Sequence, residues 1–149
     1  MKEKSEIAGL WHNQHKSEID FSQSANGQIT GVFKTHTENG HKDYPLTGYA
    51  HDDVIAFCVN FIEHGSVTAW VGQINQEKGK PVFNTLWHMS VEMGKLDSND
   101  DRSWKSILSG SDKFHRGPAI LQNGDNEGET QAISQYPPYL YGTRKISVY

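Results

Sequence analysis

The sequence predicts an all-β protein, folded as an eight-stranded antiparallel up-and-down β-barrel. Three observations lead to this fold class. Apolar and polar residues alternate with a period of two through most of the first 116 residues, as in half-buried strands. Clusters of Gly, Asn, Asp and Pro interrupt the alternation at short intervals, and no segment between them has the periodicity of a helix. Eight such strands close comfortably into a barrel, which removes the exposed edges of the sheet.

Each predicted strand is a run of alternating residues between two turn signals. In the third run, for example, Ile29, Gly31 and Phe33 fall on one face. The segment Ala25–Gly27, between the second and third runs, predicts a hairpin turn. The eight strands are expected at about residues 7–14, 17–23, 28–36, 44–51, 54–62, 66–75, 81–91 and 104–115.

The character of the chain changes after the eighth strand. Gly117 and Pro118 end the alternation, and the segment Asn123–Thr130 is rich in Gly, Asn and Glu. Several tyrosines and aliphatic residues follow this segment. We therefore expect a barrel over residues 1–116 and a C-terminal extension over residues 117–149, which either packs on a neighbouring subunit or is disordered.

The composition excludes several classes of protein. The chain has 149 residues, enough for one domain with a substantial core, and a net charge of −4 from 14 basic and 18 acidic side chains. No basic stripe indicates a nucleic-acid partner, and no apolar run approaches the roughly 20 residues of a membrane-spanning helix. Cys58 is the single cysteine, so no disulfide can form within the chain.

The strand faces that should point into the barrel combine aromatic rings with small polar side chains. The polar members are Asn13, Ser17, Thr35, Ser66, Thr68 and Asp112. The aromatic members are Trp11, Phe33, Phe61, Trp70, Trp87 and Phe114. A buried polar group without a partner costs about 1–3 kcal/mol, so this polar set must bond to itself or to a ligand. A barrel lined in this way is a cup for a small, flat, apolar ligand with one polar edge.

Six blocks of the sequence, in order and with compatible spacing, resemble the avidin and streptavidin family of biotin-binding proteins. The blocks are Gly9–Gln14 with Ser17, Thr30–Phe33, Tyr44–Gly48, Ser66–Gln73, Asn84–Trp87, and Trp104–Asp112 with Phe114. The resemblance runs from about Gly9 to His115, which is most of the chain. It implies an avidin-like barrel that binds biotin in its interior.

The resemblance also implies a role for individual residues. Asn13 and Ser17 match donors to the ureido oxygen of biotin, while Asp112 and Thr35 match acceptors of its two N–H groups. Thr68 matches the hydroxyl near the thioether sulfur. Ser66 and the backbone at Asn39 match the groups that hold the carboxylate. The remaining positions expected to contact biotin are Phe33, Thr37, Phe61, Trp70, Trp87 and Met89, with Trp104 reaching in from a neighbouring subunit.

Two features bear on affinity and assembly. The family places a Tyr donor where this chain has Phe33, and an apolar residue where it has His15. His15 is expected at the rim, half exposed, or as a compensating donor. The resemblance implies high-affinity, non-catalytic binding that sequesters the vitamin, with no cofactor and no metal. It further implies a homotetramer, or at least a dimer that shares Trp104, in a secreted or periplasmic protein whose signal peptide is not present in this chain. The C-terminal extension has no counterpart in the family pattern, and it would enlarge the assembly if it packs on a neighbouring barrel.

Three other functions stay open at the level of the sequence. The first is a carrier of another small apolar ligand, although a polar ring of Asn13, Ser17 and Asp112 is more specific than such a carrier needs. The second is a metal-dependent or other enzyme, which the eight histidines suggest but no nucleophile–base set or ligand spacing supports. The third is a structural oligomer whose inward polar groups bond to each other.

Overall fold

The computed structural model describes residues 7–37, 40–92 and 107–120, and it confirms the closed antiparallel barrel of eight strands. Each strand pairs with the next along the chain, and β1 pairs with β8 to close the barrel. The strands are β1 (Gly9–Asn13), β2 (Glu18–Gln23), β3 (Gln28–Thr37), β4 (Gly40–His51), β5 (Val54–Phe61), β6 (Ser66–Glu77), β7 (Lys80–Val91) and β8 (Ile107–Arg116).

The alternation that predicted the strands is visible in their burial. Along β5, exposed and buried residues alternate without interruption, and the buried set includes Phe57, Val59 and Phe61. The fourth strand begins at Gly40 rather than near residue 44. Residues 40–43 carry no apolar alternation because both of their faces are exposed, and they are held by backbone pairing with β3.

Tight turns with left-handed residues join several of the strands. Gly27 has a φ of 89° in the predicted turn between β2 and β3. Lys78 and Gly79 both have positive φ between β6 and β7, as a type I′ hairpin requires. Lys16, with a φ of 65°, lies in the four-residue connection between β1 and β2.

The barrel has two chemically different ends. The lower end holds the turns after β2, β4 and β6 and is filled by Trp11, whose ring packs 4.2 Å from that of Phe83. The Trp11 indole N–H donates to the Ile7 carbonyl at 2.8 Å, and the Arg116 guanidinium lies 4.5 Å from the ring. The upper end holds the β1–β2 connection and the 3₁₀ turn Ile62–His64.

The chain remains attached to the barrel for a few residues after β8. The Gly117 N–H donates to the Leu10 carbonyl at 2.8 Å, and the Ala119 N–H donates to the Glu18 carboxylate at 3.3 Å. The rest of the expected C-terminal extension lies outside the described residues. Among the residues that are described, no helix is long and apolar enough to cross a membrane.

Candidate functional site

The carboxylate of Asp112 lies in the barrel interior, with only 3% of the residue exposed. Its Oδ2 accepts the indole N–H of Trp70 at 2.8 Å, and its Oδ1 accepts the side-chain amide of Gln14 at 3.1 Å. The Thr85 hydroxyl fixes the backbone at this point by donating to the Asp112 carbonyl at 3.0 Å. The carboxylate is therefore supplied by β8, and the donors that hold it come from β6 and from the β1–β2 connection.

Burial raises the pKa of Asp112 to about 7. Hydrogen bonds from Trp70, Asn13 and Gln14 oppose this rise because they favour the anion. The group is thus an acceptor that a further N–H donor would stabilise in its ionised form.

Asn13 presents a hydrogen-bond donor to the same region. Its Oδ1 accepts the backbone N–H groups of His15 at 3.0 Å and of Ser17 at 2.9 Å, and this fixes the orientation of the amide. The Nδ2 atom is consequently the free end of the amide. It is buried, lowers the pKa of Asp112, and makes no well-formed hydrogen bond with a described residue. Ser17 follows the turn and is also buried.

Two residues next to Asn13 contribute more than the sequence analysis expected. Gln14 was part of a motif but was not predicted as a site residue, because a glutamine in a turn is usually solvated. The side chain of His15 is only 12% exposed, so it is more buried than a half-exposed rim residue, and its Nε2 lies 3.8 Å from Asp112 Oδ1. Burial lowers the pKa of His15, which favours the neutral imidazole over the charged form that a salt bridge to Asp112 would need.

Aromatic rings form the wall beside this polar region. The Trp70 ring stacks on Phe57 with centroids 5.0 Å apart and on Phe33 with centroids 5.2 Å apart. Phe33 also meets Phe61 edge to face at 5.5 Å. Trp87 pairs with Gly110 on β8, where a Cβ atom would overlap the indole, so the absence of a side chain there lets the ring lie flat.

Several other predicted residues lie along the interior of the upper half. Thr68 and Met89 are cross-strand partners and fully buried, and Ser66 begins the same stripe of β6. Thr35 is half buried on β3. The backbone of Thr37 pairs with Gly40 at the end of the same strand. Two predicted positions, Asn39 and Trp104, lie outside the described residues.

Tyr44 is a further interior residue that the sequence analysis quoted only within a motif. It lies on β4 opposite Phe33, and its ring is buried against Phe61. The parity of Leu46 and Ala50 on the same strand could have placed it inside. Within residues 7–37, 40–92 and 107–120, no three His, Cys, Asp or Glu side chains are placed to hold a metal ion.

Comparison with known proteins gives one consistent result. The model of the Avidin family matches residues 1–117. The crystal structure of xenavidin is 28% identical with a TM-score of 0.65, and the match covers 77% of this chain and 100% of that one. Apo shwanavidin is 26% identical with a TM-score of 0.59, covering 73% and 98% of the two chains. A biotin complex of a shwanavidin variant matches at 26% identity and a TM-score of 0.59, covering 74% and 97%. No curated protein matches the chain.

The raised pKa of Asp112 predicts a pH dependence of stability. The folded pKa of about 7 lies above the ordinary value of 3.8, so folding favours the protonated group. The stabilisation is complete below about pH 4 and is lost as the pH rises through about 7. Between pH 4 and pH 8, the free energy of unfolding of the ligand-free protein should fall by roughly 3–5 kcal/mol relative to Asp112→Asn, measured by urea denaturation.

The exposed carboxylate of Asp20, on the outer face of β2, provides the control. Asp20→Asn should follow the pH curve of the wild type. Parallel curves for the wild type and Asp112→Asn would contradict the assignment of the raised pKa to Asp112.

Proposed function

Because this chain belongs to the avidin family, we propose that it binds biotin inside its barrel with high affinity and without catalysis, and so sequesters the vitamin. The observation that carries the proposal is the pairing of two buried groups of opposite character. Asn13 offers a buried amide donor, and Asp112 offers a buried carboxylate acceptor beside it. The Asp112 carboxylate is bonded to Trp70, which belongs to the aromatic wall.

A cyclic urea has the complementary pattern of groups. Its carbonyl oxygen accepts hydrogen bonds, and in the proposal Asn13 and Ser17 donate to it. Its two N–H groups donate, one to Asp112 and the other to Thr35. Donors at one edge and a carboxylate at the opposite edge polarise the urea, and the polarisation is effective where aromatic rings exclude water. Since the Asn13 amide and the Asp112 carboxylate are already held by the protein, little ordering is needed on binding.

The remaining roles are proposed by family membership together with position. Thr68 lies near the thioether sulfur, and Ser66 with the backbone at Asn39 holds the carboxylate. The wall against the rings and side chain of biotin is formed by Phe33, Thr37, Phe61, Trp70, Trp87 and Met89. The assignment of Trp104 to the pocket of a neighbouring subunit rests on the resemblance alone.

Titration with biotin tests the proposal directly. We expect one molecule of biotin per barrel in isothermal titration calorimetry. Asp112→Asn should weaken binding about 10- to 100-fold, since a hydrogen bond to a charged group is lost while the Asn carbonyl can still accept from Trp70. Asp20→Asn should bind as the wild type does. If the wild type binds an apolar dye but not biotin, the result would favour the carrier function instead.

Phe33 provides a second test, because this chain has a phenylalanine where the family has a tyrosine that donates a hydrogen bond. The ring is fully buried and lies between Trp70 and Phe61. Phe33→Tyr should tighten biotin binding about 5- to 150-fold by restoring a donor to the ureido oxygen. Phe57→Tyr is the matched control, because Phe57 also stacks on Trp70 but has no donor role in the family. Unchanged or weaker affinity of Phe33→Tyr would refute this account.

We also propose that the protein assembles with copies of itself through the outer face of β4–β8. A single cross-strand row on this face carries Tyr49, Ala56, Val71 and Leu86. Tyr49, Val71 and Leu86 are each at least 60% exposed, and the row borders a depression of about 770 Å³. A large apolar row across adjacent strands suits packing against an identical sheet, as the tetramer implied by the resemblance requires.

Charge substitution in this row should dissociate the assembly. Leu86→Lys is expected to lower the oligomer mass seen by native mass spectrometry, because a lysine in an apolar interface is left unpaired. Thr30→Lys, at an exposed position of β3, should leave the mass unchanged. A wild type that is already monomeric, or an unchanged mass for Leu86→Lys, would contradict an interface at this face.

A further inference from the structure

His15 is a largely buried titratable group beside Asp112 that the proposed contacts with biotin do not use. Its side chain is 12% exposed, and its Nε2 lies 3.8 Å from Asp112 Oδ1. The backbone N–H of His15 donates to Asn13 Oδ1 at 3.0 Å, which anchors the residue just after β1. A group that can take up or release a proton therefore lies next to the buried carboxylate, at a position where the family has an apolar residue.

The side-chain amide of Gln14 bridges these two groups. Its nitrogen is 3.1 Å from Asp112 Oδ1 and 3.2 Å from His15 Nε2. The orientation of the amide is fixed, because its Oε1 accepts the backbone N–H of Lys113 at 2.9 Å. A neutral His15 can therefore accept an amide hydrogen of Gln14 at Nε2.

Protonation of His15 would reverse its role without leaving the Gln14 amide unsatisfied. The amide has two hydrogens but three acceptors within reach, since the Ser111 carbonyl is also 3.1 Å away. If His15 Nε2 carries a proton, both amide hydrogens still have acceptors in Asp112 and Ser111. The imidazolium can then donate to Asp112 after a small rotation that closes the gap of 3.8 Å. This cluster of Asp112, Gln14 and His15 thus has two satisfied arrangements, which differ in the position of one proton.

In the ligand-free protein, the proton belongs on Asp112 rather than on His15. Burial raises the pKa of Asp112 to about 7 and lowers the pKa of His15 from its ordinary value of 6.5. Below pH 7, therefore, a carboxylic acid beside a neutral imidazole is the favoured state of the pair. A ligand N–H that donates to Asp112 needs the carboxylate as its acceptor, so binding displaces this proton.

Charged groups on the neighbouring elements contact one another rather than this cluster. The contacts join Lys42 to Glu63, Lys113 to Glu77, His36 to Glu18, His41 to Asp43, and the His12 ring to the Gly117 carbonyl. Lys16 is the cation next to His15 in the chain, and the lowered pKa of His15 comes from burial rather than from this charge. His15 is therefore the titratable group best placed to receive the displaced proton.

Taking biotin binding as its premise, we infer that His15 is a positioning residue that receives the proton of Asp112 when the ureido N–H of the ligand is bound by the carboxylate. The proton leaves Asp112 Oδ1 and bonds to His15 Nε2, so that Asp112 becomes the anion and His15 the cation of an ion pair. Binding then exchanges no proton with the solvent, and the affinity is preserved in mild acid.

The number of protons released on binding tests this inference. Isothermal titration calorimetry of the full chain with biotin at pH 6, in phosphate and in bis-Tris, gives this number from the difference in heat between the two buffers. The wild type should release close to none. His15→Gln keeps a polar side chain that cannot take up the proton. It should release about 0.9 proton per biotin, because an acid with a pKa of about 7 is about 90% protonated at pH 6.

The affinity for biotin should follow the same pattern. Between pH 7 and pH 6, His15→Gln should lose about fivefold in affinity, because the carboxylate form of Asp112 becomes scarcer, whereas the wild type should change by no more than about twofold. His15→Leu, which introduces an apolar residue as in the family, should behave as His15→Gln does. His51→Gln, at a histidine at the end of β4 whose side chain is 88% exposed, is the matched control and should follow the wild type.

The outcomes separate this inference from its premise. Equal proton release by the wild type and both His15 variants, or no release by any of them, would overturn the role of His15 while leaving biotin binding intact. A loss of affinity in the variants that is the same at pH 6 and pH 7 would make His15 a packing residue only. If the wild type does not bind biotin, the proposed function falls and this inference falls with it.

Discussion

The buried carboxylate of Asp112 is the group on which the arrangement of the barrel interior depends. A charge in this position is tolerated only if donors reach it, and they come from Trp70 on β6 and from Gln14 beyond β1. The bond to Trp70 also fixes the indole, on which Phe33 and Phe57 stack. The requirement that donors reach the Asp112 carboxylate therefore sets the position of the aromatic wall. The polar and apolar parts of the interior depend on each other.

The two halves of the interior satisfy their polar atoms differently. At the lower end, the indole of Trp11 bonds to the Ile7 carbonyl, so this half is a completed core. In the remainder, Tyr44 and Ser66 each bury a polar atom without a partner among the described residues. The unpaired polar atoms thus lower the stability of the fold in the upper part of the interior, whereas the completed hydrogen bond of Trp11 maintains it at the lower end. A rigid binding barrel requires such a division, because its lower end must not rearrange when the polar groups of the interior bind a ligand.

The sequence was sufficient to predict the barrel because nearly every strand has one buried and one exposed face, and the period of two follows directly. It misplaced the start of β4, because residues 40–43 are exposed on both faces and are ordered by pairing rather than by burial. Asp112 and Asn13 stood out as polar residues on apolar faces. Gln14 and Tyr44 did not, since a turn glutamine and a strand tyrosine are common on surfaces. The contacts of Gln14 depend on closure of the barrel, which brings β8 next to β1, whereas the Tyr44 ring packs against Phe61 on the neighbouring strand.

The seam between β1 and β8 is short, with three residue pairs from Trp11 to Asn13. Beyond these pairs, the side chain of Gln14 continues the contact between the two strands by bonding to the backbone of β8, where a longer β1 would use its own backbone. Its amide donates to the Ser111 carbonyl, and its Oε1 accepts the Lys113 N–H at 2.9 Å. The same amide holds Asp112. Separation of β1 from β8 would therefore release the Asp112 carboxylate from Gln14 at the same time. Opening of the barrel and weakening of the hold on a bound ligand would then be a single event.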